Sequence, residues 1–207
     1  MSNGFFAVQK NLIDERQRTA LIDEILQSDY FGDSALGAEF VNTRGFSLVI
    51  KRPALEAVSS DFPCLAALLK QVLFDDCNAF YINPLVLYGQ SRVDAHIDCR
   101  VVAPHNTRII PNLVSVYYPD IDPHMAGGRL VLNTGSDREA PFSPETGDLI
   151  HFLGSVVHHV EAVTTPGRRI SIVCEQYNLD DELLDAFPYC DVISGGAATQ
   201  RLNALAL

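Results

Sequence analysis

From Ala79 to Tyr177 the chain is written as short runs rich in Val, Ile, Leu and aromatic residues, each cut off by turn residues. The runs are Phe80–Tyr88, Val93–Asp98, Leu113–Tyr118, Arg129–Asn133, Asp148–Leu153, Val156–Val163 and Arg168–Tyr177. Gly89, Pro104, Pro119, Pro123, Gly127-Gly128, Gly135, Pro144, Gly147 and Pro166-Gly167 punctuate them. Each run is of strand length, and no long helical pattern lies between them to serve as a crossover for parallel strands. The stretch therefore has to fold as an antiparallel sandwich or barrel.

The first 78 residues have a different texture. Phe5 to Val8 reads as a short strand. Asn11 is expected to cap a helix running to about Ser28, with Leu21, Ile22, Ile25 and Leu26 at helical spacing. Gly32 to Gly37 reads as a loop, and Phe46 to Ile50 as a strand ended by Lys51-Arg52-Pro53. Asp61 reads as the N-cap of a second helix, with Pro63 in its first turn. Leu65, Leu68, Leu69, Val72 and Leu73 give that helix an apolar face, and it is expected to end near Cys77. After Tyr177, Asp180–Phe187 reads as a short helix, followed by an Ala- and Leu-rich tail. The expected fold class is α+β, mainly β. The expected organisation is one domain over 1–207: a helix-rich support (1–78), a β core (79–178) and a C-terminal tail (179–207).

Charge removes some functions. The net charge of −11 and the pI of about 4.8 disfavour a nucleic-acid or anionic-membrane partner, which needs a basic face. No apolar run reaches the roughly 18–20 residues of a membrane helix, and Met1 to Phe6 lacks the pattern of a signal peptide. The five cysteines, at 64, 77, 99, 174 and 190, are scattered and form no Cys-x-x-Cys. A reduced, cytoplasmic setting is expected, and a zinc ribbon is not.

Within the β region the chemistry gathers at Val93-Asp94-Ala95-His96-Ile97-Asp98-Cys99-Arg100. On a strand, residues two apart share a face, so His96 and Asp98 would present an imidazole and a carboxylate together. That is two-thirds of a 2-His-1-carboxylate facial triad, the ligand set that suits non-heme Fe(II) and leaves open coordination positions. With six histidines in the chain, one His-x-Asp carries little weight alone. His105, His124 and His151 have no ligand spacing and read as surface or core histidines.

The third ligand is sought in the segment from Pro144 to Ser171, which reads as strand, turn, strand, hairpin, strand. His158 opens its second strand, and Arg169 sits early in its third. Arg169 is expected deeper along the pocket than a metal held by His96, Asp98 and His158. A small dicarboxylate could then bridge metal and guanidinium.

This ordered set, His96-x-Asp98, His158 and Arg169-x-Ser171, resembles the iron(II)/2-oxoglutarate-dependent dioxygenases, in particular their prolyl 4-hydroxylase-like branch. The resemblance runs from about Tyr88 to Tyr177. Phe152-Leu153-Gly154-Ser155-Val156-Val157-His158-His159-Val160 resembles the family's segment into its distal histidine. Tyr117-Tyr118-Pro119-Asp120 with Gly127-Gly128-Arg129-Leu130 resembles its central strand pair, and Asp148-Leu149-Ile150-His151-Phe152 the strand before that histidine. The resemblance implies a double-stranded β-helix (jelly roll) with the N-terminal helices packed on one side.

It also implies roles. His96, Asp98 and His158 would be the catalytic metal ligands for Fe(II). Arg169, Tyr118 and Ser171 would bind the cosubstrate 2-oxoglutarate, and O2 would be the second cosubstrate. The metal role falls to His158 by the spacing to Val160 and Val163, and to His159 by counting back from Arg169. The clamp is Arg169 or Arg168, and the spacing to Ser171 favours Arg169. Tyr88 and Arg100, flanking the expected mouth, are read as substrate contacts. The activity implied is hydroxylation of an unactivated C–H with release of succinate and CO2; a carboxylate at Asp98 argues against halogenation. The expected substrate is a small molecule, an amino acid or other metabolite, with a homodimer as one possible assembly. The rival readings are a peptidyl side-chain hydroxylase, a cupin-like metal enzyme that needs no 2-oxoglutarate, and a non-catalytic jelly-roll binding module.

Overall fold

The computed structural model describes residues 6–99, 101–103, 107–133, 135, 139–195 and 200–201. The chain opens with β1 (Phe6–Gln9) and α1 (Glu15–Gln27), then β2 (Gly32–Asp33), β3 (Phe40–Gly45) and β4 (Ser47–Lys51). Two helices follow, α2 (Leu55–Asp61) and α3 (Pro63–Val72). The β region is β5 (Ala79–His96), β6 (Val101–Ala103), β7 (Thr107–Ile109), β8 (Leu113–Ile121), β9 (Leu130–Asn133), β10 (Glu139–Phe142), β11 (Leu149–Leu153), β12 (His158–Val160) and β13 (Arg169–Tyr177). The chain ends with α4 (Asp181–Ala186), β14 (Cys190–Ile193) and β15 (Gln200–Arg201).

The main sheet runs β1-β11-β8-β13-β5-β12-β9-β10, with every neighbouring pair antiparallel. Its curl comes from β5. The first half of β5 pairs with β13, from Ala79↔Tyr177 to Leu87↔Arg169, and its far end pairs with β12 through Val93↔Val160 and His96↔His158. Between these halves Gln90 takes a positive φ of 73°, and the Ser91 hydroxyl accepts from the Tyr88 amide at 2.9 Å. One strand thus serves both walls, and the sheet closes into the jelly roll.

Alternation sorts the two faces. Phe80 and Ile82 of β5, Tyr117 of β8, and Ile172 and Cys174 of β13 point outward and pack against Leu21 and Ile25 of α1 and Leu65, Leu68 and Leu69 of α3. Their neighbours Leu85, Leu87, Val116 and Tyr118 point into the roll with Leu130, Leu132, Ile150 and Phe152. The helices therefore cover one face, as expected.

Several local expectations are corrected. Asn11 does not cap α1. It adopts φ 52° and donates its amide to the Gly147 carbonyl at 2.9 Å, closing a turn onto β11. The cap is Asp14, in a reciprocal capping box with Gln17. Asp61 does not start α3 but ends α2, a helix hidden by its few apolar residues. The free amides of Cys64 and Leu65 at the start of α3 are bound at 2.9 and 2.8 Å by the Glu24 carboxylate of α1. That helix stops at Val72, short of Cys77. The loop expected from Gly32 contains β2, and the segment after Tyr189 is not a plain tail, because β14 pairs with β4. No helix among the described residues is long and apolar enough to cross a membrane.

Candidate metal centre and the pocket around it

His158 opens β12 directly opposite His96, the last residue of β5. Directly paired residues share a face, so the two rings meet, with centroids 4.4 Å apart. Between Val93 and His96 the ladder slips: three steps on β5 match two on β12. This bulge reverses the alternation, so Val93 and His96 both face inward. Asp98 lies two residues beyond the strand end and turns back under both rings. Its Oδ1 is 3.3 Å from His96 Nε2, and its Oδ2 is 3.4 Å from His158 Nε2. The three ligand atoms lie within 4.8 Å of one another.

The hydrogen bonds behind the rings prepare them for a metal. His96 Nδ1 faces the Asp94 carbonyl at 2.9 Å, and His158 Nδ1 faces the Val156 carbonyl at 3.0 Å. A carbonyl only accepts, so each Nδ1 carries a proton and each Nε2 is turned to the cluster, where the neutral ring offers a lone pair. Burial holds the His158 imidazole below its ordinary 6.5, with the Asp98 charge opposing. Two neutral imidazoles and one carboxylate fit a first-row divalent ion and leave part of its coordination sphere to small molecules. Phe40 meets the His96 ring edge-on at 5.1 Å, and Phe152 the His158 ring at 5.0 Å, fixing both planes.

The same pocket contains Arg169. Its side chain is fully enclosed. One terminal nitrogen donates to the Gly128 carbonyl and the other to the Tyr118 hydroxyl at 3.3 Å, with the guanidinium 4.8 Å from the Tyr118 ring centre. Nε has no hydrogen-bond partner, and no carboxylate pairs with Arg169 among the described residues. Burial lowers its pKa, and the neighbouring Tyr118 opposes this. A buried guanidinium cradled only by neutral groups is unfinished until an anion arrives.

The neighbouring candidates are placed apart. Arg168 faces outward, bound to Asp120 at 2.7 Å. His159 is half-buried and outside the pocket, whereas His158, Tyr118 and Ser171 line it. Tyr88 does not join them. It follows the inward Leu87, so it points outward and lines a separate cleft with Asp120, Pro166 and Arg168. Arg100 lies outside the described residues.

The pocket also holds residues the sequence reading passed over. Along β13, Arg169, Ser171, Val173 and Glu175 all face it, and so do Tyr81, Asn83 and Leu85 of the paired β5. The signal was present, since counting by twos from Arg169 leads to Glu175.

No protein-family model matches the sequence, and no curated protein matches it. Solved structures do match. A Pseudomonas putida prolyl-4-hydroxylase is similar at 16% identity and TM-score 0.59, over 86% of this chain and 95% of that one. A 2OG-Fe(II) oxygenase family protein from Burkholderia pseudomallei is similar at 11% identity and TM-score 0.57, over 86% and 87%. HygX from Streptomyces hygroscopicus, with nickel, 2-oxoglutarate and hygromycin B bound, is similar at 12% identity and TM-score 0.52, over 82% and 81%. The chain has the jelly-roll fold of the 2-oxoglutarate/Fe(II) oxygenases, prolyl 4-hydroxylases among them.

Proposed function

We propose that this chain is an Fe(II)- and 2-oxoglutarate-dependent oxygenase that hydroxylates an unactivated C–H of a small molecule, releasing succinate and CO2. The observation that carries it is one pocket holding both an imidazole–carboxylate–imidazole cluster and a buried guanidinium that no carboxylate among the described residues pairs with.

His96, Asp98 and His158 would hold the metal, each imidazole through Nε2. Bound there, Fe(II) would supply the activation of O2 and the oxidative decarboxylation of 2-oxoglutarate. Arg169 would pair with the far carboxylate of 2-oxoglutarate, and the Tyr118 hydroxyl, already at its guanidinium, would donate to the same group. Ser171, next inward on β13, would flank it. Leu85, Val116, Val160 and Val173 make the walls apolar, which keeps bulk water from the reacting centre.

Succinate release and O2 consumption test the reading. Both are expected to depend on Fe(II) and 2-oxoglutarate together. No succinate above the metal-free blank would overturn it, and turnover without 2-oxoglutarate would favour the cupin-like reaction. A peptidyl substrate is the second reading, favoured by the prolyl-4-hydroxylase likeness.

A further inference from the structure

We infer that the small molecule held in this pocket presents an N–H or O–H donor to the side-chain oxygen of Asn83, and that this bond selects which molecules the pocket accepts; the inference deepens the oxygenase reading and rests on it. Asn83 lies on the inward stripe of β5 and lines the pocket beside Leu85. Its side-chain nitrogen donates to the Phe46 carbonyl at 3.1 Å and to the Ser47 hydroxyl at 2.8 Å. The Phe46 carbonyl can only accept, so the amide is oriented with its nitrogen toward those two residues, and both of its N–H bonds are used. The oxygen is left over: Asn83 is 5% exposed, and Oδ1 has no hydrogen-bond partner. A buried acceptor of this kind weakens the fold until a donor completes it.

The donor has to come from the substrate. 2-Oxoglutarate offers carboxylates and a keto group, and all of them only accept. The pocket has an unpaired donor of its own in Arg169 Nε. Arg169, however, pairs with Leu87, whereas Asn83 pairs with Val173, and the two positions are separated by about 13 Å of strand. Leu36, Phe40, Leu85, Val116 and Val173 make the lining largely apolar, so a molecule without a donor would close over the oxygen and leave it dry. A site with a committed acceptor rejects the analogue that lacks the matching hydrogen. The substrate class so selected is an apolar body bearing an amide or hydroxyl hydrogen.

The test uses the whole chain loaded with Ni(II) and 2-oxoglutarate, which fill the site without turnover. Isothermal titration compares δ-valerolactam with cyclohexanone, and cyclopentanol with cyclopentanone. Each pair shares one ring size, and its second member has neither N–H nor O–H. The donor-bearing member of at least one pair is expected to bind about tenfold tighter than its control. Discrimination in the first pair assigns an amide hydrogen and in the second a hydroxyl; either supports the inference. In Asn83→Leu, which keeps the bulk and removes the oxygen, the ratio is expected to fall below about twofold. If that variant does not fold, the wild-type pairs decide. No binding by either donor-bearing probe, equal affinities within both pairs, or a ratio unchanged in Asn83→Leu overturns the inference. Binding of 2-oxoglutarate to the Ni(II)-loaded chain is read separately. Its absence counts against the oxygenase reading, and the same pairs measured with Ni(II) alone still decide this one.

Discussion

His158 and His96 face each other across the β5–β12 ladder with their protonated nitrogens turned away, each toward a main-chain carbonyl. In their neutral form the two rings offer lone pairs to one point beside Asp98, the arrangement that the proposed metal would use.

His158→Ala is expected to cost at least 10²-fold in Ni(II) or Fe(II) affinity, on the scale of losing one of three ligands. His159→Ala, from the half-buried neighbour outside the pocket, is expected to change it by less than about threefold. Isothermal titration of both variants decides. Equal losses would move the ligand role or divide it.

Arg169→Ala is expected to weaken 2-oxoglutarate binding by at least about 30-fold, the scale of removing one partner of a buried charge pair. Metal affinity should stay within a few-fold of wild type. Arg168→Ala removes a part-exposed pair with Asp120 and should leave cosubstrate affinity close to wild type. Unchanged affinity in Arg169→Ala would remove the clamp from the proposal.

Acid should destabilise the metal-free protein. Burial lowers the pKa of both His151 and His158 below 6.5. As pH falls through about 6.5 the unfolded chain takes up protons that the folded chain still refuses. The unfolded state binds more protons, so stability is full above 6.5 and declines below it. Urea midpoints of the metal-free protein should therefore be lower at pH 5.5 than at pH 7.5, and His151→Asn should make that fall shallower. Equal midpoints at the two pH values would contradict it.

The strand texture after Ala79 was legible because each run carries its own turn signals. The spacing in His96-x-Asp98 was legible because two residues is the period of a strand. What could not be read was parity. The choice between His158 and His159 is a choice of face, and it depends on a register with β5 that no local residue announces. The direction of Tyr88 was hidden for the same reason, since it follows the inward Leu87 and lines the separate cleft with Asp120 and Arg168. The bulge between Val93 and His96 resets that count again, and a bulge formed by two distant strands leaves no mark in either one. The helix starts failed differently. Asn11 is an apt capping residue used instead for a left-handed turn, and α3 is capped by Glu24, some 40 positions upstream.

The double duty of β5 has a mechanical consequence. Residues of β5 on both sides of Gln90 line the cavity, Tyr81, Asn83 and Leu85 before it and Val93 and His96 after it, so the two walls are joined by one covalent ribbon and strain in either is passed along the backbone to the other.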